Sequence, residues 1–489
     1  MGSEYYNVLG IPFDATPEEV RAAYFEAARR LHPDANPDPV ARETFLNVQQ
    51  AYEVLRHEQR RAEYDAGLPP QVRARAAVSL SAKFSRSGIP LMDESQLFYV
   101  LLDITCTAEP DPTRIPPAAL CVVLDRSTSM QGQRLDMVRE NILKMLGKLR
   151  PQDVFALVTF SDRAEVLIPP TRVANLGRVD ALLLSIQPGG STEIYRGMQL
   201  GTDLLRRCDA RMSRYMVFMT DGHTYGDEEP TLALARDAAE EGILIHVLGI
   251  GHEWNDKFLD QITAISGGTT TFVTSNTDLQ LFVEQKLNAI EVLYARGLQL
   301  HYQTSEDVSL QGAFRVRPDV AALPIDEPIP LGNLHHGKSV SVLLEFLVPP
   351  LPGGKQVVEL ARGAIRMDVP TMTIPKTRIL FEFKRPVQLV VERETPPRSI
   401  IDAMSRLTLY RIQDKARAEV EKGNLTQATR HLHHLATHLL AKGERELAHT
   451  VLMEAEHIQQ TQHFSQEGDK RIKYGTRGLL LLPSPEQKR

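Results

Sequence analysis

Four patterns of apolar and polar positions follow one another along the chain. Between residues 4 and 66 the apolar positions recur at helical spacing. Val20, Tyr24, Ala27 and Leu31 share one face, and Phe45, Val48, Tyr52 and Leu55 share another. Thr16-Pro17-Glu18-Glu19 predicts a helix start, with a hydroxyl cap, proline first and an acid three residues after the cap. The stretch GLPPQVRARA, rich in turn formers and arginine, reads as a linker. From 77 to 107 the period falls to two, in AVSLSAKFSRS and QLFYVLLDIT. From 117 to about 290 short apolar strands (ALCVVLD, DVFALVTF, YMVFMTD, ILIHVLGI) alternate with amphipathic helices such as RLDMVRENILKMLGKL. That alternation predicts a parallel sheet covered by helices on both faces. Strand patterns return from 293 to about 386, as in SVSVLLEFLV, and predict a β-sandwich. From 398 to 463 three helices follow, broken at KGN and KGE.

The expected fold is therefore multidomain: an α-helical hairpin, a doubly wound α/β domain inserted in a β-sandwich, and a helical tail. The boundaries are a helical domain at 1–68, a linker at 69–76, strands at 77–112, the α/β domain at 113–290, the sandwich at 291–390, helices at 398–465 and a C-terminal tail at 466–489. Residues 77–112 are too few to bury a core of their own, so they are expected to join the later sandwich.

With 489 residues, 42% hydrophobic and 24% charged, the composition is that of a globular protein of several domains. A net charge of −6 gives no basic footprint for nucleic acid. The three cysteines, Cys106, Cys121 and Cys208, read as free thiols in a reducing compartment. MGSEYYNVLG has no signal-peptide pattern, and the longest apolar runs are too short to span a bilayer. The expected location is the cytoplasm.

His32-Pro33-Asp34 interrupts the first helical pattern. Pro33 cannot continue a helix and disfavours helical backbone at His32, so the tripeptide is expected in an exposed loop. YYNVLGI, TPEEVRAAYFEAARRLHPDANP, FLNVQQAYEVL and QRRAEYD surround it in the order of a DnaJ-type J domain, which residues 4–66 resemble. The resemblance implies docking on a DnaK-class chaperone ATPase through His32, Pro33 and Asp34, helped by Arg21 and Arg30. Two departures stand out. No lysine precedes Lys83, and Glu26 sits where that family usually has a basic residue. Contact weaker or more selective than that of a general co-chaperone is expected.

The second candidate site is VVLDRSTSM, residues 122–130, where an apolar strand runs into an aspartate and three hydroxyls. Asp125, Ser127 and Ser129 alternate, so an extended loop can turn all three to one side. Ligands in open α/β sheets bind outside the carboxyl ends of strands. An oxygen-only set suits Mg²⁺ first, and also Mn²⁺ or Ca²⁺, rather than zinc. Taken alone, such a stretch is more often an N-cap for the next helix than a metal site. Thr192 in GGSTE and Asp221 in MTDGHTYGDEE complete a set that resembles the metal-ion-dependent adhesion site (MIDAS) of von Willebrand factor A domains. That resemblance implies a divalent ion with one position open to a Glu or Asp of a protein partner. Arg126, beside the site, could favour such an acidic ligand. An EF-hand reading of DGHTYGDEE fails because His223 and Tyr225 fall on positions that need oxygen donors. No phosphate loop, nucleophile–base pair or second aspartate of a phosphatase is present, so no catalysis is expected.

The flanking strands and the ending GDKRIKYGTRGLLLL resemble bacterial proteins with an embedded von Willebrand factor A domain. His431, His434 and His438 share one helical face and read as a half-buried polar seam. The combined expectation is a bacterial co-chaperone-like adaptor that joins a DnaK-class chaperone to a metal-dependent protein partner. The alternative is a non-catalytic scaffold for an AAA+ ATPase of the MoxR kind.

Overall fold

The computed structural model describes residues 4–31, 39–68, 76–109, 116–222, 226–284, 293–351, 354–389 and 394–479. Among the described residues four helices come first: α1 (Glu4–Leu9), α2 (Pro17–Leu31), α3 (Pro39–Leu55) and α4 (Glu58–Ala66). The capping box predicted at Thr16 is formed. Thr16 N–H donates to Glu19 Oε2 at 2.8 Å, and Glu19 N–H donates to Thr16 Oγ1 at 3.3 Å. Tyr6, Leu9, Val20, Val48, Ala51 and Leu55 make a small core, and Tyr24 stacks on Tyr52 with centroids 4.1 Å apart. Arg61 ties α4 to the first loop by donating to the carbonyls of Ala15 and Phe13.

Strands β1 (Val78–Phe84), β2 (Ile89–Pro90) and β3 (Gln96–Cys106) come next. The α/β unit contributes β4 (Ala118–Asp125), α5 (Gln133–Lys148), β5 (Val154–Phe160), β6 (Ala164–Arg172), α6 (Val179–Ser185) and α7 (Ile194–Arg206). It continues with β7 (Ser213–Thr220), α8 (Glu228–Glu240), β8 (Ile243–Ile250), α9 (Asp256–Ser266), β9 (Thr270–Val273) and α10 (Asn276–Phe282). Its sheet runs β6-β5-β4-β7-β8-β9, with only β6 antiparallel. Residues of β4, β5, β7 and β8 are buried throughout, because helices cover both faces.

Among the described residues seven strands follow: β10 (Leu293–Gln303), β11 (Ser309–Arg317), β12 (Ala321–Leu323), β13 (Ile329–His335), β14 (Ser339–Val348), β15 (Val357–Asp368) and β16 (Lys376–Gln388). Two five-stranded sheets result, β1-β3-β14-β11-β12 and β13-β10-β15-β16-β2. β3 lies between β1 and β14, so strands from both sides of the α/β unit build one sandwich, as the fold class predicts. Arg315 of β11 is buried where the sandwich meets the α/β unit. It donates to the carbonyls of Gly267, Gly268 and Leu331 and pairs with Asp319.

The chain closes with α11 (Arg398–Glu421), α12 (Leu425–Ala441), α13 (Arg445–Thr461) and α14 (Gln466–Leu479). Leu407, Leu432, Leu435 and Val451 pack with Leu101, Phe314 and Leu343, on the outer face of the first sheet. This covers the second face of β14, which is therefore buried on both faces. The tail read from residue 466 onward begins with α14, a helix with an unusual face. Its Lys470 and Lys473 are buried, and with Arg477 they meet the α/β unit. Lys470 donates to the carbonyls of His252 and Trp254, Lys473 pairs with Asp256 and Asp260, and Arg477 forks onto Asp260. The histidine seam is corrected. His434 and His438 are exposed, with rings 6.0 Å apart, and only His431 is half-buried. The buried face of α12 is instead Leu432, Leu435, Ala436 and Leu439.

Candidate functional site

β4 is the central strand of the α/β sheet, flanked by β5 and β7 in parallel. Asp125 ends β4, and Asp221 follows the last residue of β7. The fold therefore carries both carboxylates to the carboxyl edge of neighbouring strands, where ligands of such sheets bind. Asp125, Ser127 and Asp221 are buried, Thr192 is half-buried and Ser129 is exposed, so the cluster opens outward at Ser129.

Hydrogen bonds link the cluster. Asp125 Oδ1 accepts the Ser127 N–H at 2.7 Å, and its Oδ2 accepts the Thr220 hydroxyl at 2.6 Å. The hydroxyl oxygens of Ser127 and Ser129 lie 3.1 Å apart, and Ser129 donates to Asp221 Oδ1 at 2.7 Å. Thr192 reaches the same place from the glycine-rich loop. A Cβ added to Gly222, next to Asp221, would lie 2.8 Å from Thr192 Oγ1. That loop is held by the first one: Gly189 N–H donates to the Arg126 carbonyl at 2.8 Å, and Thr128 N–H to Gly190 O at 3.3 Å. Gly190 has φ +87°, and an added Cβ would collide with the Asp162 carboxylate, so this bend requires glycine. All five sequence-chosen residues are thus brought together.

None of the three hydroxyls of this loop caps α5. The cap residue of α5 is Gly132, and no side chain bonds there. The helix-cap reading of the serines therefore loses its support. Burial pushes the Asp125 carboxyl up to about 6, with the Asp221 charge adding to the effect, although hydrogen bonds from Thr220 and Ser127 oppose it. A buried carboxylate raised in this way is stabilised by any cation that reaches it. The donors are carboxylate and hydroxyl oxygens, which fit a hard divalent ion. Among the described residues no three His, Cys, Asp or Glu side chains form a metal cluster, so the hydroxyls must supply part of any ligand set.

Two residues of this site were missed. Thr220 hides in a strand that reads as plain core. Arg134 donates to the Asp221 carboxylate and, at 3.3 Å, to the Ser129 carbonyl. A signal for it existed: a cation in the first turn of a helix opposes the helix dipole and calls for a nearby anion. Arg126 points elsewhere, 3.9 Å from Glu165 and bonded to the Gln187 carbonyl. It does not join the cluster.

On the helical hairpin, His32, Pro33 and Asp34 lie outside the described residues, as do His223 and Tyr225 and most of the linker. Arg21, Arg29, Arg30 and Glu26 are exposed on α2, and the Arg21 guanidinium lies 5.6 Å from the Phe25 ring. The first turn of α2 faces inward onto the sandwich. Arg378 of β16 donates to Glu19 at 2.7 Å and to Asp14 at 3.1 Å, and Arg366 of β15 reaches Glu19 at 2.9 Å. Ile374, between these strands, joins the hairpin core. Burial alone would raise the Glu19 carboxyl. The Thr16 N–H with Arg378 and Arg366 hold it below the ordinary value instead.

Comparison with known proteins agrees with this layout. Residues 4–65 match the DnaJ domain, 119–285 the von Willebrand factor type A domain, and 398–482 the Sll0103-like, C-terminal alpha-helical domain. The uncharacterized protein sll0103 of Synechocystis sp. is 25% identical over 359 residues, which are 71% of this chain and 79% of that one. Chaperone protein DnaJ 1 of Aquifex aeolicus is 51% identical over 63 residues, 13% of this chain, and the match spans only 17% of that chaperone. A solved structure, a von Willebrand factor type A protein from Catenulispora acidiphila, superposes with a TM-score of 0.65 over 82% of this chain and 97% of its own. At 13% identity it shows the fold alone. The chain carries an N-terminal DnaJ domain, a von Willebrand factor type A domain and a C-terminal helical domain.

Proposed function

We propose that the chain is a co-chaperone-like adaptor. Its DnaJ domain recruits a DnaK-class ATPase, and its von Willebrand factor A domain holds a protein partner through a divalent ion, Mg²⁺ first. The observation that carries this reading is the convergence of Asp125, Ser127, Ser129, Thr192 and Asp221 on one sheet edge of a chain that also has a DnaJ domain. These five residues would hold the ion. Bound there, it would supply a positive centre able to accept a carboxylate from a partner in a charge-assisted contact. The chain's own part is to fix the loops through Gly190 and to bury Asp125 against Thr220. No described helix is long and apolar enough to cross a membrane, which is compatible with the cytoplasmic setting such a chaperone pair needs.

The test is ATP turnover by a DnaK-class protein with and without the full chain. Wild type should accelerate it and His32→Gln should not, while both melt alike. Equal rates with the two forms would contradict the chaperone half of the reading.

A further inference from the structure

Arg134 is held from three sides. Its guanidinium donates to the Asp221 carboxylate and to the Ser129 carbonyl, and it packs on Gly251, where an added Cβ would lie 3.0 Å from Nη2. Gly251 is itself fixed. Trp254 Nε1 donates to its carbonyl at 2.9 Å, and Lys470 of α14 anchors the carbonyls of His252 and Trp254. Arg134 is about one-third exposed, whereas the Asp221 side chain is fully buried. The guanidinium is therefore the outward neighbour of the inner carboxylate.

We infer that Arg134 sets the cation affinity of this site: its charge is an internal competitor for Asp221. The inference rests on the metal reading above. With Arg134 paired to Asp221, an incoming ion meets one uncompensated carboxylate rather than two. In a partly buried setting a unit charge at this range weakens the binding of a divalent ion strongly. Arginine cannot relieve the repulsion by losing its proton, so the guanidinium must swing off Asp221 toward solvent.

The experiment is a Mn²⁺ titration of the full chain followed by electron paramagnetic resonance of the free ion. It uses wild type, Arg134→Gln, Arg134→Lys and Asp125→Ala, each first checked by thermal melt. Arg134→Gln should bind Mn²⁺ more tightly by about tenfold or more. Arg134→Lys, which keeps the charge, should stay near wild type. Equal or weaker binding by Arg134→Gln, or equal tightening in both variants, overturns the inference while leaving the metal site standing. Binding by Asp125→Ala at wild-type strength, or binding by no form, overturns the metal reading and this inference with it.

Discussion

The Thr220 hydroxyl donates to Asp125 Oδ2 at 2.6 Å, with both residues fully buried. This bond joins the ends of β4 and β7 beneath the hydroxyl cluster. It holds a carboxylate that burial otherwise penalises.

The first prediction concerns that penalty. The folded carboxyl is raised from 3.8 to about 6 by burial, so the native state holds its proton more tightly than the unfolded chain. Stability from this group is therefore lost as pH rises from about 4 through about 6. In EDTA at pH 7, Asp125→Asn should melt higher than wild type, by up to about 3 kcal/mol of stability. The amide can still accept from Ser127 N–H and can donate to Thr220. The advantage should vanish near pH 3.5. Melts across that pH range check it, and a variant less stable than wild type at pH 7 would refute it.

A second prediction addresses how the DnaJ domain is seated. Arg378 is nearly buried and bridges Glu19 and Asp14. Arg378→Ala should loosen the hairpin from the sandwich. The partly exposed carboxylates limit the cost to about 1 kcal/mol. Hydrogen exchange should rise at residues 14–20 and in the turn around Ile374, with the sandwich strands unchanged. Unaltered exchange there would mean that the apolar contact of Ile374 suffices.

The third concerns the seat of α14. Burial would raise the Asp256 carboxyl, but Lys473 and Arg417 outweigh it and bring it to about 2. A folded value below the unfolded one gives stability that is present above about pH 4 and lost as pH falls toward 2. The contribution is roughly 2 kcal/mol. Lys470 lies 4.3 Å from the ring of Trp254, the single tryptophan, and Tyr474 lies 5.6 Å from it. Tryptophan emission should therefore shift to the red in that acid window. Asp256→Asn should shift the midpoint upward in pH, and an unchanged midpoint would refute the pairing.

The helices of the DnaJ domain and the strands of the α/β unit were legible because their signals are local: a capping box, a period and a proline. The five oxygen-bearing residues of the cluster were legible for the same reason, since Asp125, Ser127 and Ser129 share one loop, and Thr192 and Asp221 stand at a glycine bend and at a strand end. Arg134 and Thr220 were not, because each acts on a carboxylate 87 and 95 residues away in sequence. The buried face of α14 was hidden more deeply. Lys470, Lys473 and Arg477 have helical spacing, but a cationic face reads as solvent-facing until the acids of α9 are brought to it. The exposed histidines of α12 are the opposite error, polar residues read as a seam where leucines do the packing.

The central claim is that the hydroxyl-rich end of β4 is a cation site. The direct measurement is isothermal titration of the full chain with Mg²⁺, wild type beside Asp125→Ala. The account predicts one ion per wild-type chain and no saturable heat from the variant, with both forms folded. Saturable binding of equal affinity in the two forms would contradict it.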